Sequence, residues 1–207
     1  MRSLLLLSLL AFALNAHAQT PRPPQGVAPQ IAIERTEGTS VTVNLGYGLA
    51  LNKESKLKRE WFTVRDPQAP ATLDLNTGVD VIYKSGDRSS RGEYQYSVPY
   101  RIVPKEPITA FEVRVIVIDV FGKLVKTLSA TELIDLSDAR GFSGAWRIFS
   151  ESEASEAFAS VTYIAQVRTA AGRVYVADQR AVYDQVRRVA TRITESDLEP
   201  KRESSSR

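Results

Sequence analysis

Carboxylates are the side chains of this sequence best suited to catalysis, and four aspartates stand out by their positions. Two carboxylates that flank a cleft would suit glycoside hydrolysis, one as general acid and the other as base or nucleophile. Each of these aspartates lies beside a predicted turn or strand end, where aspartate is common because its side chain bonds the local backbone. We therefore expect structural roles and no catalytic residues at Asp66, Asp74, Asp80 and Asp119.

A second acidic feature is the segment Ser150 to Glu156, which reads SESEASE and contains three glutamates. Calcium binds to oxygen ligands of this kind. The D-x-D-x-D-G order of a calcium-binding loop is missing, however, and a solvated connection between strands explains the composition with fewer assumptions. We expect a solvated loop and no metal site.

Three tyrosines on one face of a predicted strand form a candidate ligand platform. Tyr94, Tyr96 and Tyr100 alternate with polar residues, and their rings would suit a sugar or a peptide. The same face carries Val98 and Ile102, which favours the alternative that the tyrosines line the margin of the core. With Trp61 and Trp146, the platform would make a carbohydrate-binding module.

Histidine and cysteine chemistry is excluded once the N-terminus is removed. His17 is the only histidine, and cysteine is absent. A Ser-His-Asp or Cys-His nucleophile therefore cannot be built, and zinc and copper lose their preferred ligands. The sequence has no glycine-rich nucleotide-binding motif, and we expect no cofactor.

The N-terminus has the three parts of a cleavable secretory signal peptide. Arg2 supplies the charge, Leu4 to Leu14 the apolar stretch, and Ala16 to Ala18 the A-x-A cleavage pattern. An uncleaved anchor is the alternative, but the apolar run is shorter than the about 20 residues that cross a bilayer. We expect cleavage after Ala18. The absence of cysteine favours a bacterial periplasmic or secreted protein, because small eukaryotic secreted domains usually depend on disulfides.

The charge of the exported chain is close to neutral. The full sequence has 27 basic and 24 acidic residues, so loss of Arg2 leaves 26 against 24 and a net charge of +2. Nucleic-acid-binding proteins cluster basic residues on one face, whereas the basic run Lys53 to Glu60 is interrupted by glutamates and indicates a solvated loop. We expect no nucleic-acid partner.

Alternation of apolar and polar residues predicts that most of the chain is β-structure. Pro99 cannot donate a ladder hydrogen bond, so the tyrosine-bearing strand is predicted to lie at an edge or to carry a bulge. The run Val115 to Ile118 is continuously apolar, which predicts a strand end covered on both faces. The predicted strands lie around Val41–Tyr47, Glu60–Arg65, Thr72–Leu75, Val79–Tyr83, Tyr94–Ile102, Phe111–Asp119, Lys123–Leu128, Ala145–Phe149, Phe158–Thr169 and Arg173–Ala177.

Two hairpins and one helix are the clearest elements. Asp119 and Gly122 occupy the first and fourth positions of a type I turn, and Gly172 marks the second hairpin. Helical spacing appears only near the C-terminus, at Val182, Val186, Val189 and Ile193, with Asp178 as N-cap. The narrow valine stripe favours docking of this helix onto the sheets over binding of its basic face to an anionic membrane.

Two segments resemble bacterial immunoglobulin-like domains. Val113 to Leu128 is similar to a strand–turn–strand of the C-terminal immunoglobulin-like domain of flagellar hook-capping proteins. Tyr163 to Val174 is similar to the final hairpin of the same domains and of fibronectin type III domains. The family's Trp-Asp-Gly is missing, since Arg147 follows Trp146. The matched positions in the first segment are Asp119, Gly122, Lys123, Val125, Thr127 and Leu128.

The resemblance implies an immunoglobulin-like fold outside the cytoplasm, and it implies no active site. It also implies that Tyr163 is a corner tyrosine whose hydroxyl bonds the backbone. Together with the strand pattern, it leads us to expect an all-β, antiparallel immunoglobulin-like β-sandwich with a short C-terminal helix. The expected segments are a signal peptide (1–18), a proline-rich linker (19–29), a sandwich domain (30–178), a helix (179–199) and a disordered tail (200–207).

The sequence favours a non-enzymatic exported protein that acts through contact with a protein partner. The carbohydrate-binding module is the alternative. The identity of the partner, the biological process and the oligomeric state do not follow from the sequence.

Overall fold

The computed structural model describes residues 30–36, 43–44, 60–74, 80–84, 93–148 and 156–201. The predicted signal peptide and proline-rich linker lie outside these residues, as do most of the two charged loops and the end of the C-terminal tail. The strands are β1 (Ala32–Arg35), β2 (Val43–Asn44), β3 (Glu60–Arg65), β4 (Ala71–Asp74), β5 (Asp80–Lys84), β6 (Glu93–Pro104), β7 (Ile108–Ile118), β8 (Leu124–Leu136), β9 (Arg140–Ile148), β10 (Ala159–Thr169) and β11 (Val174–Val176), and they are followed by helix α1 (Gln179–Val186) and a 3-10 turn (Glu195–Leu198).

The described strands form two sheets, so the prediction of an all-β protein is confirmed. The first sheet has the order β1-β3-β10-β7-β8, and β11 also pairs with β10. The second has the order β2-β5-β6-β4, and β9 also pairs with β6. The expectation of purely antiparallel sheets is wrong, because β3 runs parallel to β10 and β2 runs parallel to β5. The immunoglobulin-like topology stays a prediction.

One apolar core lies between the two sheets. Tyr96 and Val98 of β6 contribute to it from the second sheet, and Val113 and Val115 of β7 contribute from the first. A second core lies on the opposite face of the first sheet, where α1 and the chain after it pack against Ile116 and other outward-facing residues. Burial of these apolar surfaces is the main favourable term in folding.

The end of β7 is covered on both faces, as its continuous apolar run predicted. Val115 and Val117 face the second sheet, whereas Ile116 and Ile118 face α1. All four side chains are buried. Both faces of this strand end are therefore occupied, which accounts for the loss of alternation in the sequence.

Pro99 predicted an edge strand or a bulge, and neither occurs, since β6 has partners on both sides and its register with β9 is continuous through Pro99. β6 pairs with β9 along Tyr94 to Ile102, and on its other side it pairs with β5 up to Ser97 and with β4 from Arg101. Pro99 lies in the interval between those last two partners. An interior strand tolerates the proline here because one side of the ladder is interrupted at its position.

Helix α1 is shorter than the predicted helix over residues 179–199. It ends at Val186, and the chain then forms turns before the 3-10 segment. Its N-cap is as predicted, with the Asp178 carboxylate accepting a 3.0 Å hydrogen bond from the Ala181 amide. Val182 and Val186 are buried against the first sheet, so docking of the helix is confirmed. No helix among the described residues has the length and apolar content to cross a bilayer.

Candidate functional site

Among the described residues, only half of the outward face of the first sheet is covered, and the uncovered half is the candidate site. A cross-strand row begins at Leu133 of β8, which is opposite Ala110 of β7. Ala110 is opposite Arg168 of β10, and Arg168 is opposite Val174 of β11. Leu133 is 83% exposed and Val174 is 59% exposed. The row therefore places an exposed apolar side chain at each end and a cation near the middle.

A second row lies beside the first. Thr131 is opposite Glu112, which is opposite Gln166, and Gln166 is opposite the exposed Val176. With neighbouring strands about 4.8 Å apart, each row is about 14 Å long. We call the two rows together the open face; it consists of Ala110, Glu112, Thr131, Leu133, Gln166, Arg168, Val174 and Val176.

A bulge in β10 explains where the covered half of this face ends. The register between β10 and β7 shifts between Ile164 and Gln166, so Ala165 is an extra residue. Its carbonyl accepts a 2.9 Å hydrogen bond from the Ala177 amide. Ala177 directly precedes the N-cap of α1, so the bulge directs the chain back across the first half of the face. Bulges often redirect a strand in this way.

The border between the two halves is fixed by a charged network. Arg114 of β7 donates a 2.7 Å hydrogen bond to Glu112 and a 2.9 Å hydrogen bond to Glu199. Burial alone would lower the pKa of Arg114, but the hydrogen bonds to the two glutamates outweigh it and raise the pKa. The network ties the C-terminal segment to the sheet and occupies the carboxylate of Glu112.

Tyr163 contributes to the same border. Its hydroxyl lies 3.4 Å from the Leu198 carbonyl oxygen, 35 residues downstream, whereas a corner tyrosine bonds the backbone a few residues upstream. The corner role expected from the resemblance is therefore wrong. Burial raises the pKa of Tyr163, and the neighbouring Arg114 offsets part of the increase.

Arg168 is the exposed cation of the open face, and it has no ion pair among the described residues. By contrast, Arg173 in the following turn binds both carboxylate oxygens of Glu106, and Arg114 is held by two glutamates. A guanidinium presents five donors in a planar fork that matches a carboxylate. The open face can therefore accept a carboxylate between two apolar contacts.

The tyrosine row does not form an exposed platform. Tyr96 and Tyr100 are 0% and 1% exposed, and Tyr94 packs partly buried against the same core. The tyrosines instead line the core, which was the alternative, because their side chains share the inward face of β6 with Val98 and Ile102. Trp61 is also buried, and the Trp146 indole nitrogen donates to the Ser129 carbonyl oxygen at 2.8 Å.

The candidate carboxylates have structural partners where their side chains are described. Asp66 accepts hydrogen bonds from the Tyr175 hydroxyl at 2.6 Å and the Gln68 amide. Asp74 pairs with Arg65, and Asp119 caps its own turn. The Asp80 side chain and the SESEASE loop up to Ser155 lie outside the described residues. Within the described part of the chain, no cluster of three metal-binding side chains occurs.

No family model and no curated protein matches this chain. Among solved structures, it is similar to a hypothetical protein from Peptoclostridium difficile 630 at 8% sequence identity, with a TM-score of 0.43. The similarity covers 64% of this chain and 98% of that one. At this level, the similarity assigns neither a family nor a function.

The open face was not predicted from the sequence, because the apolar alternation that predicts β8 ends at Leu128. The strand continues to Leu136, and its outward positions are Thr127, Ser129, Thr131 and Leu133. The only signal for an exposed apolar site in this stretch of sequence was Leu133, which follows three polar residues on the same face of β8. The cross-strand partners of Leu133 depend on bulges in two strand pairs, which alternation alone does not reveal.

Proposed function

We propose that this is an exported, non-enzymatic protein that acts through protein–protein contact at the open face. The observation that carries the proposal is the row from Leu133 to Val174, in which apolar side chains flank Arg168, a cation without an ion pair in the part of the chain that the structure describes. Protein interfaces combine apolar anchors with polar positions, and arginine is enriched among the residues that dominate binding energy.

The partner is expected to have a carboxylate that reaches Arg168 and apolar side chains that cover Leu133 and Val174. A carboxylate binds a guanidinium in bidentate fashion, which fixes orientation as well as adding affinity. The site lies on paired strands, so little backbone ordering opposes binding.

Export is part of the proposal and is supported by the N-terminal sequence. The basic start, short apolar stretch and A-x-A pattern are typical of a cleaved signal peptide. We therefore expect the protein to bind its partner in the periplasm or outside the cell. No catalytic group is required, because the proposed activity is binding.

Native gel analysis of the protein in the cells that produce it tests the proposal. We expect the wild type to migrate in a complex with one other protein at fixed stoichiometry. Leu133→Asp and Arg168→Glu should release it, because they remove an apolar anchor and reverse the central charge.

The matched control is Ala145→Asp, which changes another exposed position, on the outward face of β9 in the second sheet. It should leave the complex intact. Migration of all three variants with the wild-type complex would contradict the proposal, as would a wild type that is free under crosslinking.

A further inference from the structure

The turn between β7 and β8 presents apolar side chains at the opposite end of β7 from the open face. Phe121 is 73% exposed, and its neighbour Val120 is also exposed. Aromatic side chains carry a large apolar surface, and most of them are buried or in contact with a partner. The exposure of an aromatic and an aliphatic residue at one protruding tip indicates a docking element.

The turn is rigid. The Asp119 carboxylate accepts 2.8 Å hydrogen bonds from the amides of both Phe121 and Lys123. The Gly122 amide donates to the Asp119 carbonyl oxygen at 3.1 Å, and Gly122 has a φ of 74°, which glycine adopts without strain. Phe121 is thus held in its exposed position by the turn itself.

The chain after α1 supports the turn and brings positive charge to it. The Arg192 amide donates a 3.2 Å hydrogen bond to the Gly122 carbonyl oxygen, and Ala190 and Thr191 also lie next to Gly122. The exposed cations at this contact, or within two residues of it, are Lys123, Arg188 and Arg192. Lys123, Arg188 and Arg192 form no ion pair among the described residues, whereas Arg187 lies over the Tyr183 ring.

Fewer acidic groups lie close to the turn. Asp119 is occupied by the turn amides, and the exposed Glu156 is two residues before Phe158, whose amide bonds Ile118. Among the described residues, the charged side chains of these segments are therefore three cations, Lys123, Arg188 and Arg192, against the two carboxylates of Asp119 and Glu156. Protruding apolar side chains beside cations that form no ion pair within the described residues match a surface that has an apolar interior and anionic headgroups.

We propose that the turn Asp119–Lys123 docks on an anionic lipid surface, with Val120 and Phe121 inserted between headgroups and the basic residues in contact with them. The apolar face of α1 is not the inserted element, since Val182 and Val186 are buried against the sheet. The proposal is independent of the open face. A single exported protein would then contact a membrane at one end of β7 and a protein partner near the other.

Co-sedimentation with vesicles tests the proposal, using the mature chain expected after cleavage at Ala18. Vesicles of phosphatidylglycerol and phosphatidylethanolamine should bind the protein, and phosphatidylcholine vesicles should not. Phe121→Ala should weaken partitioning by about tenfold or more, given the transfer free energy of a phenylalanine side chain. Arg188→Glu combined with Arg192→Glu should weaken it similarly, and added salt should weaken wild-type binding.

Leu133→Ala and Arg168→Glu are the matched controls, because they change an exposed apolar residue and an exposed arginine at the other end of the sheet. They should partition as the wild type does. Phe121→Trp should be quenched by brominated lipid if the side chain inserts. Absence of vesicle binding at low salt, or wild-type partitioning of Phe121→Ala, would overturn the proposal and leave the open-face proposal untouched. If the tip binds a protein and not lipid, the vesicles will not bind the protein even at low salt.

Discussion

The Trp146 indole nitrogen of β9 donates a 2.8 Å hydrogen bond to the Ser129 carbonyl oxygen of β8. The two strands belong to different sheets, so this bond joins the sheets along one side of the protein. The indole ring lies over Gly144, and a Cβ at that position would overlap the ring. The position of Trp146 therefore depends on the missing side chain of Gly144.

Gly144→Ala is expected to displace the indole and break its bond to Ser129. Overpacking in a filled core costs about 1–3 kcal/mol, and we expect the free energy of unfolding to fall by that amount in denaturant titrations. Gly141→Ala is the control, since a Cβ there meets no atom within 4 Å, and it should change stability by less than about 0.5 kcal/mol. Equal stability of the two variants would contradict this packing.

Tyr100→Phe and Tyr175→Phe should have different effects on stability. The Tyr100 hydroxyl is buried and has no hydrogen-bond partner among the described residues, so its removal should leave the free energy of unfolding unchanged or raise it by up to about 1 kcal/mol. The Tyr175 hydroxyl bonds the Asp66 carboxylate at 2.6 Å, and its loss should cost about 1.5–3 kcal/mol. Urea unfolding of both variants measures the difference in the free energy of unfolding. A larger decrease for Tyr100→Phe than for Tyr175→Phe would refute these roles of the two hydroxyls.

Alkaline pH should destabilise the protein partly through Tyr100. Burial, with a further contribution from the nearby Glu132, raises the pKa of Tyr100 from 10.0 to about 12. The unfolded chain thus loses this proton at lower pH than the folded chain does, so stability is full below pH 10 and falls as the pH rises toward 12. Tyr100→Phe should reduce that fall by on the order of 2 kcal/mol at pH 12. Identical pH profiles of unfolding for the variant and the wild type would contradict this contribution of Tyr100 to alkaline destabilisation.

Gly122→Ala and Gly172→Ala should destabilise the protein by similar amounts. Both glycines have positive φ, 74° and 83°, and a side chain at such a position costs about 1–2 kcal/mol. A Cβ at Gly122 would lie 3.4 Å from the Thr191 amide nitrogen, which is an ordinary van der Waals contact, and Gly172 has open space around it, so neither substitution adds a steric clash to the backbone cost. Thermal unfolding of the two variants compares them directly. A melting temperature equal to that of the wild type for either variant would contradict the positive φ at that glycine.

Much of the fold was predictable because it is determined by residues that are close to one another in the sequence. The boundaries of β3 follow from alternation ended by Asp66 and Pro67, and both hairpins follow from glycines that adopt positive φ. The covered end of β7 follows from four consecutive apolar residues. In each case, the signal lies within a few residues of the feature it predicts.

The parts that were not predicted depend on contacts between distant segments. Pro99 indicated an edge strand or a bulge, and it is tolerated inside the sheet because the pairing with β5 ends before it and the pairing with β4 begins after it. The parallel pairing of β3 with β10 joins residues about 100 positions apart. The open face combines β7, β8, β10 and β11 through two register shifts, and no local pattern in the sequence encodes that combination.

The central claim is that the open face contacts a protein partner, and site-specific photo-crosslinking tests it most directly. A photoreactive side chain would replace Leu133 or Val174 in the exported protein, with Ala145 of the second sheet as the control position. We predict one adduct of constant mass from both open-face positions, which Arg168→Glu removes, and no such adduct from position 145. Absence of an adduct from Leu133 and Val174, or an equal yield from Ala145, would contradict the claim.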